Sequence, residues 1–337
     1  MIRYIIRRIL WAVVLFIAVT VVTFVIFFVI PANPAALIAG KAPRPIDIQR
    51  AAHFIGTDKP VWYQYGKFLG RLVGVQWDRQ DGEVWNIRFA SPSLGRSFAT
   101  RQNVNDIVAR AAPVTASLVI GGAIIWLLIA LPLGILSALR PRSLLDRSGM
   151  VFVLIGISAH PVWLGLIFAY VFGYKLGWTP ITGYCNAVNP VGSCGGPVDW
   201  AYHLILPWVT FAILFAALYV RMIRANVMET MNEDYVRTAR AKGAPEWQVM
   251  RSHVLRNALL PVVTMLGMDI SLALGGAVFT ETVYGLPGLG RTLLQSLDAF
   301  DLPTTLGIVV FATMSIIVIN LFVDLIYAVI DPRIRLA

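Results

Sequence analysis

The sequence predicts an all-α polytopic membrane protein with six transmembrane helices and an external subdomain between the first and second. Three observations predict it. Of 337 residues, 58% are hydrophobic and 14% charged, where soluble domains carry about 25% charged residues. The mean hydropathy is +0.72. Six apolar stretches, 9–30, 114–139, 150–172, 204–220, 259–280 and 302–330, are long enough to cross about 30 Å of hydrocarbon. Arg and Lys collect in alternate connections between those stretches, the signature of a chain oriented in a membrane.

The first span follows the charged start MIRYIIRRILW. Its apolar run is closed by no small-residue cleavage site, so it reads as a retained span and not a cleaved signal peptide. Its Val, Ile and Phe content favours strand by propensity. In lipid, however, a single segment satisfies its backbone only as a helix. Residues 31–113 form the external subdomain, with short helices expected at 46–54 and 61–72 and a turn or hairpin at 78–90. A loop of that length inside a compact protein carries structure of its own. The organisation is therefore an N-terminus with first span over 1–30, the external subdomain over 31–113, and a five-helix membrane core over 114–337. That core includes a cytoplasmic loop at 228–258.

Orientation follows from charge. One set of connections holds Arg3, Arg7 and Arg8; Arg140, Arg142 and Arg147; Arg221, Arg224, Arg237, Arg240, Lys242, Arg251 and Arg256; and Arg333 and Arg335. The short opposite loops hold Lys175 and Arg291, and the 31–113 loop is too long to count. Both termini are thus expected on the cytoplasmic side. The net charge of +10 reads as this flanking Arg. No basic patch outside the spans is interleaved with stacking aromatics, so no nucleic-acid partner is expected.

Several chemistries lack their residues. There is no GxxxxGK[ST], so the chain offers no P-loop for ATP. There is no HExxH, and His53, His160, His203 and His253 are scattered. No Ser/His or paired-ligand constellation suggests a membrane enzyme. The glycine-dense run 285–291 (GLPGLGR) reads as a tight turn into a short external helix. Cys185 and Cys194 share one Gly-rich external loop, and an oxidising compartment predicts a disulfide between them. No metal site is expected, because two thiols without a nearby His or second Cys pair rarely bind zinc.

Residues 235–261, YVRTARAKGAPEWQVMRSHVLRNALLP, form a basic, amphipathic segment between two spans on the Arg-rich side. Residues 228–242 read as a helix with Glu233 and Arg237 paired at i,i+4. Gly243 suits the position that ends it, and Pro245 the first turn of a second helix. Trp247, Met250 and Val254 give that second helix an apolar face. Small residues surround the break, so a partner's cleft can approach. An ordinary headgroup-lying surface loop is the alternative.

Here the chain resembles a known family. Two small residues, three others and a Gly, then a helix ending in Leu-Pro, is similar to the EAA loop of ABC importer membrane subunits. The resemblance extends through MIRYIIRRIL, 56–64 (GTDKPVWYQ), 92–97 (PSLGRS), 113–118 (PVTASL), 203–207 (HLILP), 281–291 (ETVYGLPGLGR) and 320–335 (NLFVDLIYAVIDPRIR). Their order and spacing look like the first permease of the dipeptide/oligopeptide/nickel group. The resemblance implies a coupling helix at Arg237, Thr238, Ala239, Arg240, Ala241, Lys242, Gly243, Ala244 and Pro245, seated in a cytoplasmic ATPase. It implies a second homologous permease subunit and an external substrate-binding protein. It also implies two ATPase subunits or one fused pair, which bind the ATP and Mg; no cofactor is expected in this chain. The location implied is a bacterial cytoplasmic (inner) membrane, and the cargo di- or oligopeptides, with nickel or another small solute as the alternative. The chain departs from the EAA pattern at Arg237, where a Glu is usual, leaving Glu233 or Asp234 to make the acidic contact. An ATP-independent secondary transporter would need more spans and paired broken helices at midplane.

Polar residues at membrane depth complete the candidates. Asp269 lies in the fifth stretch, where a charge costs at least about 2.5–3.5 kcal/mol on insertion scales. It either meets the translocation path as contact or gate, or is a structural carboxyl at the permease interface. Asn320 and Asp324 lie i,i+4 on the sixth stretch and are expected to face other helices. Pro132, Pro161 and Pro207 suit helices that bend.

Overall fold

The computed structural model describes residues 2–26, 44–55, 60–80, 84–187, 194–274 and 277–330. The chain forms two compact units. One comprises Met1–Pro113 with Thr292–Val318, the other Val114–Arg291 with Ile319–Ala337.

In the first unit, α1 (Ile2–Phe24) is apolar beyond Arg8 apart from Thr20 and Thr23, and leaves Ile9, Leu10, Val13, Val14 and Ile17 exposed, as a lipid-facing helix must. It is followed by α2 (Pro45–Ile55) and α3 (Val61–Val73), each matching an expected short helix to within one residue. The expected hairpin is present: β1 (Val75–Gln80) pairs antiparallel with β2 (Val84–Phe89), Val75 facing Phe89 and Gln80 facing Val84. Gly74 permits the junction. It takes φ +83 after α3, and a Cβ there would lie 2.5 Å from the Ala90 carbonyl. The unit's core joins Phe24 and Phe68 to Leu306 and Val310. The Thr20 hydroxyl meets the Tyr65 hydroxyl at 3.0 Å, satisfying a polar group buried beside lipid-facing apolar surface.

The second unit takes most of α4 (Val104–Leu139), then α5 (Leu144–Ser158), α6 (Pro161–Lys175), α7 (Gly196–Met231), α8 (Asp234–Ala241), α9 (Glu246–Ala258), α10 (Leu260–Leu274) and α11 (Val278–Val283). Beyond it the chain continues through α12 (Leu289–Asp298) and α13 (Leu302–Ile330). Small residues let α4 and α7 approach closely: a Cβ on Gly122 would lie 2.6 Å from Phe211, and one on Gly134 2.8 Å from Ile223. Between them Trp126 stacks on Phe215 with ring centroids 4.6 Å apart. Where α5 meets α7, the Arg224 guanidinium donates to both Asp146 carboxylate oxygens, at 2.6 and 2.9 Å.

The described residues contain four helices long and apolar enough to cross a membrane, or six spans when each of two bent pairs is taken as one. Two expected spans differ from straight helices. The third is broken by 106° between α5 and α6. Ala159 and His160 are extended, with ψ 122 and 135, because Pro161 disfavours helical backbone in the residue before it. His160 then caps α6, its Nδ1 accepting from the Val162 N–H at 3.3 Å. The fifth is α10, shorter than 259–280 and meeting α9 at 42°. The expected fourth span, 204–220, is the middle of the 36-residue α7, which reaches about 54 Å at 1.5 Å per residue and projects beyond the hydrocarbon.

Candidate functional site

The basic segment folds as a knob of two short helices and a turn. The first helix does not run continuously from 228 as expected. α7 ends at Met231 and Glu233 takes a non-helical cap conformation, φ −68 and ψ 146, before α8 starts. This removes the expected Glu233–Arg237 pair, since the two no longer share a helical face. Arg237 instead stands 3.9 Å from Asp234. Gly243 takes φ +79 just past the α8 cap, the left-handed position glycine occupies without strain. Its N–H donates to the Arg240 carbonyl at 2.9 Å, and that of Ala244 to the Ala239 carbonyl at 3.2 Å. Pro245 is the cap of α9, one position before the expected one; a missing N–H is harmless at either position.

A charged strap closes the turn. The Arg240 guanidinium donates to both Glu246 oxygens, at 2.6 and 3.1 Å. That hydrogen bond holds the Glu246 carboxyl below its ordinary range and raises Arg240 above its own. Asn257 ties the base by donating to the Tyr235 hydroxyl at 2.8 Å.

The knob is rooted in the unit's core by Val236, Val249, Met250 and Val254, all buried. The expected apolar face held Trp247 in place of Val249. The turns Val249–Leu255 are π-helical, and a wider turn displaces the i, i+3 register. Trp247 therefore points outward, 71% exposed. Of the nine residues assigned to coupling, Ala239, Arg240 and Ala244 are half-buried, and Arg237, Thr238, Ala241, Lys242, Gly243 and Pro245 are exposed. Nothing lies within 4 Å of where a Gly243 Cβ would be. What results is a stiff, basic projection with an exposed indole beside it.

Asp269 sits apart from the knob on α10, accepting from the Tyr219 hydroxyl on α7 at 2.6 Å. Three helices further on, Asn320 of α13 accepts from the Ser271 hydroxyl of α10 at 3.2 Å. The side chain of Asp324, with Arg333 and Arg335, lies outside the described residues.

Cys185 and Cys194 are bonded, S–S 2.08 Å. The expectation that no histidine stands near them is corrected. α7 brings His203 alongside, its Nδ1 2.8 Å from the Asp199 carbonyl and 3.4 Å from Cys185 Sγ. As a disulfide the sulfurs present no thiolate, the form in which cysteine holds zinc.

Sequence reasoning missed one buried cluster. Glu281 on α11 is fully buried and accepts from the Thr115 hydroxyl at 2.6 Å and the Arg291 N–H at 2.9 Å. Thr115 in turn accepts from the Leu289 N–H at 2.8 Å. The carboxylate thus sits at the amino end of α12, where helix N–H groups are unpaired. The run 285–291 is the turn that lets α12 fold back onto it. The legible signal was an acidic residue just after a span and just before a Gly-Pro turn.

With this geometry in view, comparison with known proteins identifies the class. A family model described as "Binding-protein-dependent transport system inner membrane component" matches residues 130–336, and its N-terminal counterpart residues 1–119. The chain belongs to this family of multi-pass inner-membrane transport subunits, and the resemblance to ABC importer membrane subunits is borne out. More particularly, it is 34% identical over 350 residues to the dipeptide transport system permease protein DppB of Alkalihalophilus pseudofirmus, covering 99% of this chain and 100% of that one. It is 33% identical over 355 residues to DppB of Escherichia coli, covering 99% of each. Among solved structures, a chain of the MetNI methionine ABC transporter in inward-facing conformations matches with TM-score 0.53 and 18% identity. That match covers 67% of this chain and 97% of the other, and shows a shared fold.

Proposed function

We propose that this chain is the membrane permease subunit of an ATP-driven importer of di- or oligopeptides, working by alternating access. The observation that carries the reading is the knob: a rigid, exposed, basic projection rooted in the buried core of the membrane unit. Its residues 237–245 seat in a groove of a separate ATPase, and Trp247 widens the contact. Two ATPase subunits, or one fused pair, bind ATP and Mg, and this chain itself is not an enzyme. A second homologous permease completes the path, and an external binding protein delivers substrate. Both termini and the knob lie on the cytoplasmic side; residues 31–113 and the disulfide loop lie outside. Asp269, held by Tyr219, borders the path as a contact or gate. Relatives named for dipeptide transport support the cargo. The broken spans, which a secondary transporter would also show, are outweighed by family membership.

The test is reconstitution of the chain with its partner permease and ATPases in proteoliposomes. Uptake of a labelled dipeptide should require ATP inside and binding protein outside. Gly243→Trp should abolish coupling. Uptake without ATP, or a Gly243→Trp variant that assembles and transports normally, sinks the reading.

A further inference from the structure

A second charged feature lies on the first unit, far in the chain from the knob. Arg96, Arg101, Gln102, Asn103, Asp106 and Arg110 line a shallow, open groove of about 640 Å³. All six are exposed, which gathers three guanidiniums and one carboxylate on one surface.

The segment bearing them is tightly held. Arg96 bridges Asn103, and the Ser97 N–H donates to the Gln102 carbonyl at 2.9 Å. Ser97, itself buried, donates its hydroxyl to Asp301 at 2.5 Å, and Asp301 also accepts the Phe98 N–H at 2.8 Å. The Val104 N–H donates to the Gly95 carbonyl at 3.0 Å. Arg110 reaches back to the Gln102 side chain and donates to the Asp106 carbonyl at 3.1 Å.

Within this frame Arg101 is forced to φ +61. That is a left-handed position which Gly or Asn fills at lower cost. A strained non-glycine residue kept in a rigid turn is a sign that its side chain is needed where the turn puts it.

We infer that this groove is a docking surface for carboxylate side chains on an external protein partner, the substrate-binding protein of the same transporter. Arginine forks match carboxylates in geometry and are enriched at protein interfaces. The groove is too open to enclose a small molecule, which ordinarily buries most of its surface in a pocket. The groove residues also precede the apolar run that starts at Val114. From Val104 to that point α4 rises about 15 Å, more than the depth of a headgroup layer of roughly 6 Å. That places Arg96 and Arg101 in water, within reach of a soluble protein. The inference rests on the external placement of residues 31–113 in the function proposed above.

The experiment uses the assembled transporter in nanodiscs and the binding protein encoded with it, reading ATPase rate against binding-protein concentration. Charge reversal by Arg96→Glu, Arg101→Glu or Arg110→Glu should raise the half-maximal concentration roughly tenfold and flatten its salt dependence. Arg101→Lys keeps the charge but loses the fork, so it should raise the value less than Arg101→Glu does, separating lost charge from lost folding. The rate without binding protein should be unchanged. Half-maximal concentrations and salt slopes equal to wild type in all three reversals overturn the docking surface while leaving the importer reading intact. A reversal effect seen in anionic but not in neutral phosphatidylcholine nanodiscs overturns it in favour of lipid. Wild-type transporter that no binding protein stimulates overturns both.

Discussion

Asp146 illustrates how much rests on single side chains in this molecule. It is 4% exposed, accepts the Arg142 N–H at 2.9 Å and receives both arms of Arg224. Removing one member of such a pair leaves an uncompensated charge. Asp146→Ala should therefore destabilise the chain by about 3 kcal/mol, visible as a lowered thermal midpoint in detergent. Arg224→Lys keeps the charge but loses the fork, and should fall between the two. Asp269 poses the opposite question. Asp269→Asn still accepts from Tyr219, so the thermal midpoint should hold while dipeptide uptake drops several-fold. Unchanged uptake would make Asp269 a helix-packing residue alone. Asp269 was legible from its depth in an apolar stretch. Tyr219 was not, because 50 residues separate the two and no local pattern records the pairing. The same holds for Glu281 and Thr115, 166 positions apart.

At the scale of elements, the knob makes two predictions. Gly243→Ala places a Cβ in open space on a left-handed backbone, so it should cost about 1 kcal/mol through conformation alone. Any larger loss of ATPase coupling than Gly243→Ala produces, seen with Gly243→Trp, then measures the partner's groove. The Arg240–Glu246 strap gives a pH dependence. Its carboxyl is depressed when folded, so the strap's contribution is complete above the ordinary Glu range. It is lost only as pH falls through the lowered folded value. Amide exchange of residues 240–248 should be constant from neutral pH down to about 5, after allowing for intrinsic rates, and rise below that. Exchange that rises already near pH 7 would rule out the strap. The two-helix form and Gly243 were legible from capping and turn chemistry. The break at Asn232 and the π-helical turns were not, since tertiary anchoring of Val236 and Val249 overrides a continuous helical pattern there.

Across the whole molecule, hydrophobic length alone made the spans legible, because lipid leaves a single segment no alternative to helix. It could not show that the third is cornered at His160, although Pro161 marked the place. Cysteine labelling from outside intact cells tests the orientation. A cysteine at Ser91 should react with an impermeant maleimide and one at Ser252 should not, each in a background lacking Cys185 and Cys194; the reverse pattern overturns the orientation. The residues that hold the turn before α4, Ser97 and Asp301, stand 204 positions apart in the sequence. They could be found only once the chain was folded.

One consequence belongs to α7. The disulfide-bearing loop enters its first residue, Gly196, and the knob begins two residues after its last, Met231. A single helix of about 54 Å therefore joins the cross-linked loop to the knob. Its described length has one weak point, Pro207, where the backbone lacks a hydrogen bond. A load applied at the knob meets a lever arm with one soft joint, set nearer the far end. A tilt of the long arm would change angle at that joint and carry the short segment, with the cross-linked loop attached, along with it.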